Sequence, residues 1–164
     1  MKIKLSKLIE GFEFQSEMSE SYLDKETGEI FFISEDDRFA LENPDMEPPE
    51  WQKEHLERIK PLLEDFDQER YIGLPSEFDF NEYSVMEKFI ASLSSNKLQD
   101  SLWNAIEGRG AFRRFKDRIA QYGIDNQWYS YRDAAVKQFI IDWCEVEGIP
   151  YVDDTVKKSD KRAR

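Results

Sequence analysis

From Pro48 to Pro150 apolar side chains return every three or four residues, in runs that end at glycine and proline stops. That periodicity commits most of the chain to helices. Trp51, Ile59, Leu62, Leu63 and Phe66 share one face of a first segment opened by Pro48-Pro49, with Pro61 off the stripe and expected to kink it. After a Gly73-Leu74-Pro75 turn, Asp79 with Glu82 three residues on reads as a capping box before Tyr83, Met86, Phe89, Ile90 and Leu93. Asn96 is expected to cap a segment with Leu98, Leu102, Trp103 and Ile106, which Gly108-Arg109-Gly110 stops. A helix from about Ala111 to Tyr122 follows, then one from about Asn126 to Glu147 closed by Gly148-Ile149-Pro150.

The N-terminal part has a different period. Leu5, Leu8, Ile9 and Phe12 predict a short helix with Ser6 as its N-cap. Ser21-Tyr22-Leu23-Asp24 and Glu29-Ile30-Phe31-Phe32-Ile33-Ser34 then flank Lys25-Glu26-Thr27-Gly28, a β-hairpin in which Gly28 supplies the positive φ of the turn. Glu35-Asp36-Asp37 and the proline-rich stretch from Glu42 to Pro49 read as a connector. The expectation is one α+β domain over residues 1–150, an N-terminal helix and a β-hairpin with room for one more short strand, followed by a bundle of four or five helices. Its parts are a hairpin part at 1–34, a connector at 35–48 and a helical part at 49–150, with 151–164 as a flexible basic tail.

Composition narrows the chemistry. The chain of 164 residues is 40% hydrophobic and 14% aromatic, enough for a core although 35% of it is charged, so full disorder is excluded. No apolar run approaches the roughly 18 residues of a spanning helix, and the N-terminus lacks the apolar core of a signal peptide, so the expectation is a cytoplasmic protein with no membrane partner. One cysteine, Cys144, and one histidine, His55, leave no internal disulfide and no zinc quartet. Acidic runs lack the spacing and turn glycine of a calcium loop, and no P-loop, dinucleotide fingerprint, nucleophile elbow or zinc-protease motif occurs. No metal, cofactor or catalytic residue is therefore assigned. His55, inside an apolar stripe between Trp51 and Ile59, is read as a core-edge residue, and Cys144 as an inert thiol.

Charge is unevenly placed. The formal net charge is −12; residues 1–100 carry 11 Lys+Arg against 25 Asp+Glu, and residues 101–164 carry 12 against 10. A nucleic-acid role would have to rest on a local basic patch. The segment from Gly108 to Arg118 is such a patch, with Arg109, Arg113, Arg114, Lys116 and Arg118. At 100° per residue, Ala111, Phe112, Phe115, Ile119 and Tyr122 face one side and Arg113 the other, so both phenylalanines are expected in the core. Arg114 and Arg118 stand at i, i+4, a like-charge pair that costs about 0.2–0.5 kcal/mol unless an anion bridges it. A carboxylate from the acidic part, a phosphate or an acidic partner each fits there. On the last helix Arg132 falls inside the stripe of Trp128, Ala135, Val136, Phe139, Trp143 and Val146, so it needs a partner: Glu107, Asp117 or an anionic ligand.

The block Gly108-Arg109-Gly110-Ala111-Phe112-Arg113-Arg114-Phe115-Lys116-Asp117, followed by Trp128-Tyr129-Ser130-Tyr131-Arg132-Asp133, Trp143 and Gly148-Ile149, resembles the signature of the bacterial uncharacterised protein family 0158. Tyr22-Leu23-Asp24 with Thr27-Gly28-Glu29 resembles that family's N-terminal hairpin, so the likeness covers about residues 3 to 150. It implies no activity, cofactor or catalytic residue. From the residues themselves the leading expectation is a non-enzymatic binding or regulatory module with a protein partner. The alternative is a nucleic-acid or phosphate-binding protein using Arg109, Arg113, Arg114, Lys116 and Arg118, and an enzyme built on Arg132 and His55 ranks last.

Overall fold

The computed structural model describes residues 2–65 and 69–156. It is α+β, as the sequence implies: an N-terminal helix, a small antiparallel sheet and a helical bundle. In chain order the elements are β1 (Ile3–Lys4), α1 (Leu5–Phe14), β2 (Ser19–Asp24), β3 (Ile30–Ser34), α2 (Glu35–Glu42), α3 (Glu50–Glu64), β4 (Tyr71–Gly73), α4 (Glu77–Phe80), α5 (Glu82–Ser92), α6 (Asn96–Ala105), α7 (Ala111–Gln121), α8 (Asp125–Glu147) and β5 (Tyr151–Val152). The chain packs as two compact units, one of residues 1–77 with 140–164 and one of residues 78–139.

In the first unit β2 and β3 form the hairpin, with Tyr22 opposite Phe31 and Ser21 opposite Phe32, and Gly28 turns it at φ 77°. The one further short strand that the hairpin was expected to accept is Tyr71–Gly73, which pairs antiparallel with β2 and gives the order β3-β2-β4. Strand alternation separates two apolar faces. Phe31, Ile33 and Tyr71 pack with Leu56, Ile59 and Leu62 of α3. On the other face α1 buries Leu5, Leu8 and Phe12, and Gly11 comes so close that a Cβ there would stand 2.9 Å from Leu74, while the Ser21 hydroxyl donates to the Gly11 carbonyl at 2.7 Å.

The expected hairpin, connector and helical parts are not the compact units. β4 draws α3 into the sheet unit, and β5 pairs in parallel with β1 (Ile3 with Tyr151), so the start of the supposed tail is a strand. Residues 157–164, and Phe66 of the α3 stripe, lie outside the described residues. The first eight residues of the supposed connector are the helix α2. Ser34 and Asp37 form a reciprocal capping box, and Glu35, Asp36 and Asp37 sit in the first turn, where the helix dipole favours them. Ser6 is not a cap either; α1 starts one residue earlier, and the Ser6 N–H and hydroxyl both donate to Asp154. Trp51 is 76% exposed because the buried face of α3 is Gln52, Leu56, Ile59 and Leu62.

The second unit is built on aromatic contacts. Phe89 of α5 lies 6.2 Å from Phe115 of α7 and 5.4 Å from Trp128 of α8, and Phe115 and Trp128 meet edge to face at 4.9 Å. Here two caps shift. α5 is capped by Asn81, in a left-handed conformation with its side chain accepting from Ser84 N–H, because the Glu82 carboxylate is used elsewhere. α6 is capped by Ser95, one residue before the expected Asn96.

Candidate functional site

α6 ends at Ala105, and Gly108 and Gly110 hold left-handed backbone (φ 71° and 76°) that reverses the chain into α7. A helix end leaves its last carbonyls without partners. Arg114 supplies them: its guanidinium donates to the carbonyl oxygens of Ala105, at 2.9 Å, and of Glu107 and Arg109. One turn on, Arg118 donates to the Ser101 carbonyl at 2.7 Å and to its hydroxyl at 3.0 Å, and Tyr122 donates to the same hydroxyl at 2.8 Å. The expected acidic bridge between Arg114 and Arg118 is therefore replaced by backbone carbonyls of α6. These contacts clamp the two helices and the turn between them.

A carbonyl oxygen satisfies a guanidinium's donors but does not cancel its charge. Arg109, Arg113 and Lys116 are exposed, and among the described residues their side chains have no hydrogen-bond or ion-pair partner. Asp117 and Glu107, exposed beside them, pair with none of the five cations. α7 has no acidic residue in its first turn and no side-chain cap, so the positive end of its dipole adds to the same field. Outside this segment the described arginines have carboxylate partners: Arg38 with Glu20, Arg58 with Glu29, Arg70 with Asp24 and Glu26, and Arg132 with Glu82.

Phe112 departs from expectation. It is 44% exposed, whereas Phe115 is 1% exposed, because the buried arc of α7 is Ala111, Phe115 and Ile119. Phe112 sits at its margin, in a T-shaped contact with Tyr83 whose ring centroids are 6.5 Å apart. Tyr122 is also surface-exposed.

Arg132 is half-buried, as its place in the stripe requires, but its partner is neither Glu107 nor Asp117. Glu82 of α5 accepts from its Nε, and its guanidinium carbon stands 5.9 Å from the centre of the Phe80 ring. Glu82, expected in a capping box with Asp79, is the ion-pair partner of Arg132 instead. Arg132 thus lies apart from the turn-helix cations in its contacts.

His55, half-buried, joins the buried Asp37 and Gln52 in a polar cluster of the sheet unit. Its Nε2 lies 2.9 Å from the Phe32 carbonyl and 3.2 Å from Asp37 Oδ2, both acceptors, so Nε2 carries the proton. Asp37 also accepts from Gln52 at 2.9 Å and Ser34 N–H at 3.0 Å. Burial pushes the Asp37 carboxyl up, but the Ser34 backbone, Gln52, the Ser34 hydroxyl and nearby His55 outweigh it and hold the group below the usual carboxylate range. These bonds occupy the outward edge of β3, where a free strand edge would invite another chain. Cys144 is fully buried, and burial, with Glu145 beside it, raises its thiol to about 11. Among the described residues no group of three or more His, Cys, Asp or Glu side chains is placed to hold a metal ion, and no helix is long and apolar enough to cross a membrane.

The profile of the Uncharacterised protein family (UPF0158) matches residues 1–162. A relative, the UPF0158 protein PA5073 of Pseudomonas aeruginosa (strain PAO1), is 25% identical over 125 residues, 76% of this chain and 70% of the relative. No solved structure matches the chain.

Proposed function

The chain belongs to the uncharacterised protein family UPF0158, and from that footing we propose that it is a non-enzymatic cytoplasmic binding module that recognises an anionic partner through the α6–α7 turn and the exposed face of α7. One observation carries this reading. In a chain of net charge −12, the described arginines outside Arg109–Arg118 have carboxylate partners, and the four within it have none among the described residues. Leaving five cations uncompensated beside available acids costs stability that a partner's anions return on binding. His55 and Arg132 support the non-enzymatic side of the reading, since each is held by partners that fix structure. A cytoplasmic setting suits a single buried, unpaired thiol.

The test is retention of the full chain on two immobilised polyanions, poly-L-glutamate and a nucleic-acid strand, at low salt. The wild type binds at least one of them and elutes with salt, and the triple variant Arg109→Glu, Arg113→Glu, Lys116→Glu loses at least tenfold in retention. A wild type that binds neither, or a variant that binds as well as the wild type, overturns the proposal.

A further inference from the structure

Resting on that reading, we propose that the anionic partner is a single nucleic-acid strand, its phosphates held by Arg109, Arg113 and Lys116 and a base stacked on Phe112.

The chain's own surface argues against a carboxylate partner. Asp117 stands one helical turn from Arg113, at an i, i+4 spacing within reach of an ion pair although in the weaker order with the base first, and the two do not pair. A partner's carboxylate would offer Arg113 the same group that its own helix already presents. A phosphodiester strand offers something different: permanently ionised oxygens, repeated along one chain, that meet several cations at once and release condensed counterions as they do. Four of the five cations are arginines, whose planar forks match phosphate oxygens. Arg114 and Arg118, tied to carbonyl oxygens, brace the turn while leaving their charge on the same segment as the exposed three.

Phe112 decides between strand and duplex. On α7 it projects about 40° from Lys116 and about 100° from Arg113, so an exposed aromatic ring borders the cationic arc on the Lys116 side. An exposed ring next to exposed cationic side chains suits an unpaired base, whose face is open, and has no use in a duplex, whose base faces are stacked inside.

The experiment is fluorescence anisotropy with the full chain and four labelled probes: a 12-nucleotide single-stranded RNA, the same sequence as single-stranded DNA, its duplex, and poly-L-glutamate. One or both single strands are expected to bind at least tenfold tighter than duplex and poly-L-glutamate. Three phosphate contacts give a slope of log affinity against log salt of about −2, from roughly 0.7 per contact on a single strand. Arg113→Glu with Lys116→Glu removes strand binding, and Phe112→Ala weakens it at least fivefold with the slope unchanged. Phe112→Leu, which keeps an apolar contact with Tyr83 but lacks the ring, gives the same loss at an unchanged melting temperature and so separates stacking from folding. Poly-L-glutamate or duplex binding as tightly as the strand, with sensitivity to the charge variants, overturns the strand proposal and leaves the anionic-partner reading standing. Full strand affinity in Phe112→Leu also overturns it. No binding to any probe removes both readings.

Discussion

The two units solve charge in opposite ways. The sheet unit carries 14 Lys+Arg against 27 Asp+Glu, a net of −13, and the helical unit carries 9 against 8, a net of +1. In the acidic unit Arg38, Arg58 and Arg70 sit beside carboxylates, and side-chain hydrogen bonding of acids organises the fold: Asp24 and Asp37 are buried, Asp65 accepts from the backbone of Arg70 and Tyr71, and Asp154 ties down Ser6. In the helical unit aromatic rings organise the core, and among the described residues Arg109, Arg113, Arg114 and Arg118 stand uncompensated by acids. Net charge alone would have placed any cation-driven function against the trend of the whole chain. The pairing of each arginine, rather than the sum, separates a surface where charge serves folding from one where it is left available.

The largest expected effect tests the aromatic core. Phe115→Ala removes a fully buried ring between Phe89 and Trp128 and should cost about 3–5 kcal/mol. Phe112→Ala, at the exposed margin of the same helix, should cost no more than about 1 kcal/mol. Denaturant titration of the two variants measures the gap, and equal losses would place Phe112 in the core.

The acidic unit is sharpened by Asp24→Asn. Asp24 accepts from Arg70 Nε at 3.1 Å, Arg70 Nη2 at 2.9 Å and the Glu26 N–H at 2.9 Å, so losing its charge should cost about 2 kcal/mol. Burial raises its carboxyl, but Arg70, the Glu26 and Thr27 N–H groups and the Thr27 side chain more than offset that and lower it; Asp37 is lowered as well. Both therefore titrate lower in the folded chain than in the unfolded one. Their stabilisation is full above about pH 4 and is lost as pH falls through the depressed folded values. Wild-type stability should decline below about pH 4, and Asp24→Asn with Asp37→Asn should flatten that decline; an identical pH profile would refute the role of these acids.

A smaller effect belongs to Arg132, the arginine of the helical unit that does pair. Arg132→Met leaves Glu82 unpaired, and with both side chains partly solvent-exposed (21% and 28%) the cost should be about 1–2 kcal/mol, read from the denaturation midpoint. Arg113→Ala, at the other extreme, removes a charge with no partner among the described residues and should change stability by less than about 0.5 kcal/mol. A loss as large as that of Arg132→Met would show that Arg113 is bound within the fold and would remove the contrast on which the binding surface rests.

Much of the architecture was legible because it is local. The hairpin follows from two alternating runs around Gly28, and the helices from stripes that stop at Gly108-Arg109-Gly110 and Gly148-Ile149-Pro150. The i, i+4 placement of Arg114 and Arg118 marked them as needing acceptors, and the stripe position of Arg132 marked it as needing a partner. The sequence pattern missed α2, where three consecutive acids look like a solvated connector until the Ser34–Asp37 capping box and the dipole are counted. It allowed for one more short strand beside the hairpin but could not place it at Tyr71–Gly73, and it missed β5, because strands of three and two residues have no period of their own.

What the sequence determined by itself was the class of the fold, the order of its helices of ten residues or more and the concentration of five cations between residues 109 and 118, since periodicity, glycine stops and composition act over a few residues. Tertiary structure alone decided which acceptor each charge would find. Glu82 reaches Arg132 across 50 positions of sequence, the carbonyls at the end of α6 take Arg114 where a carboxylate was expected, and Arg109, Arg113 and Lys116 are left facing solvent. Helical angles give the direction in which a side chain leaves its own axis but carry no information on what the neighbouring helix sets opposite it. That depends on the packing of Phe89, Phe115 and Trp128, which fixes how α5, α7 and α8 face one another.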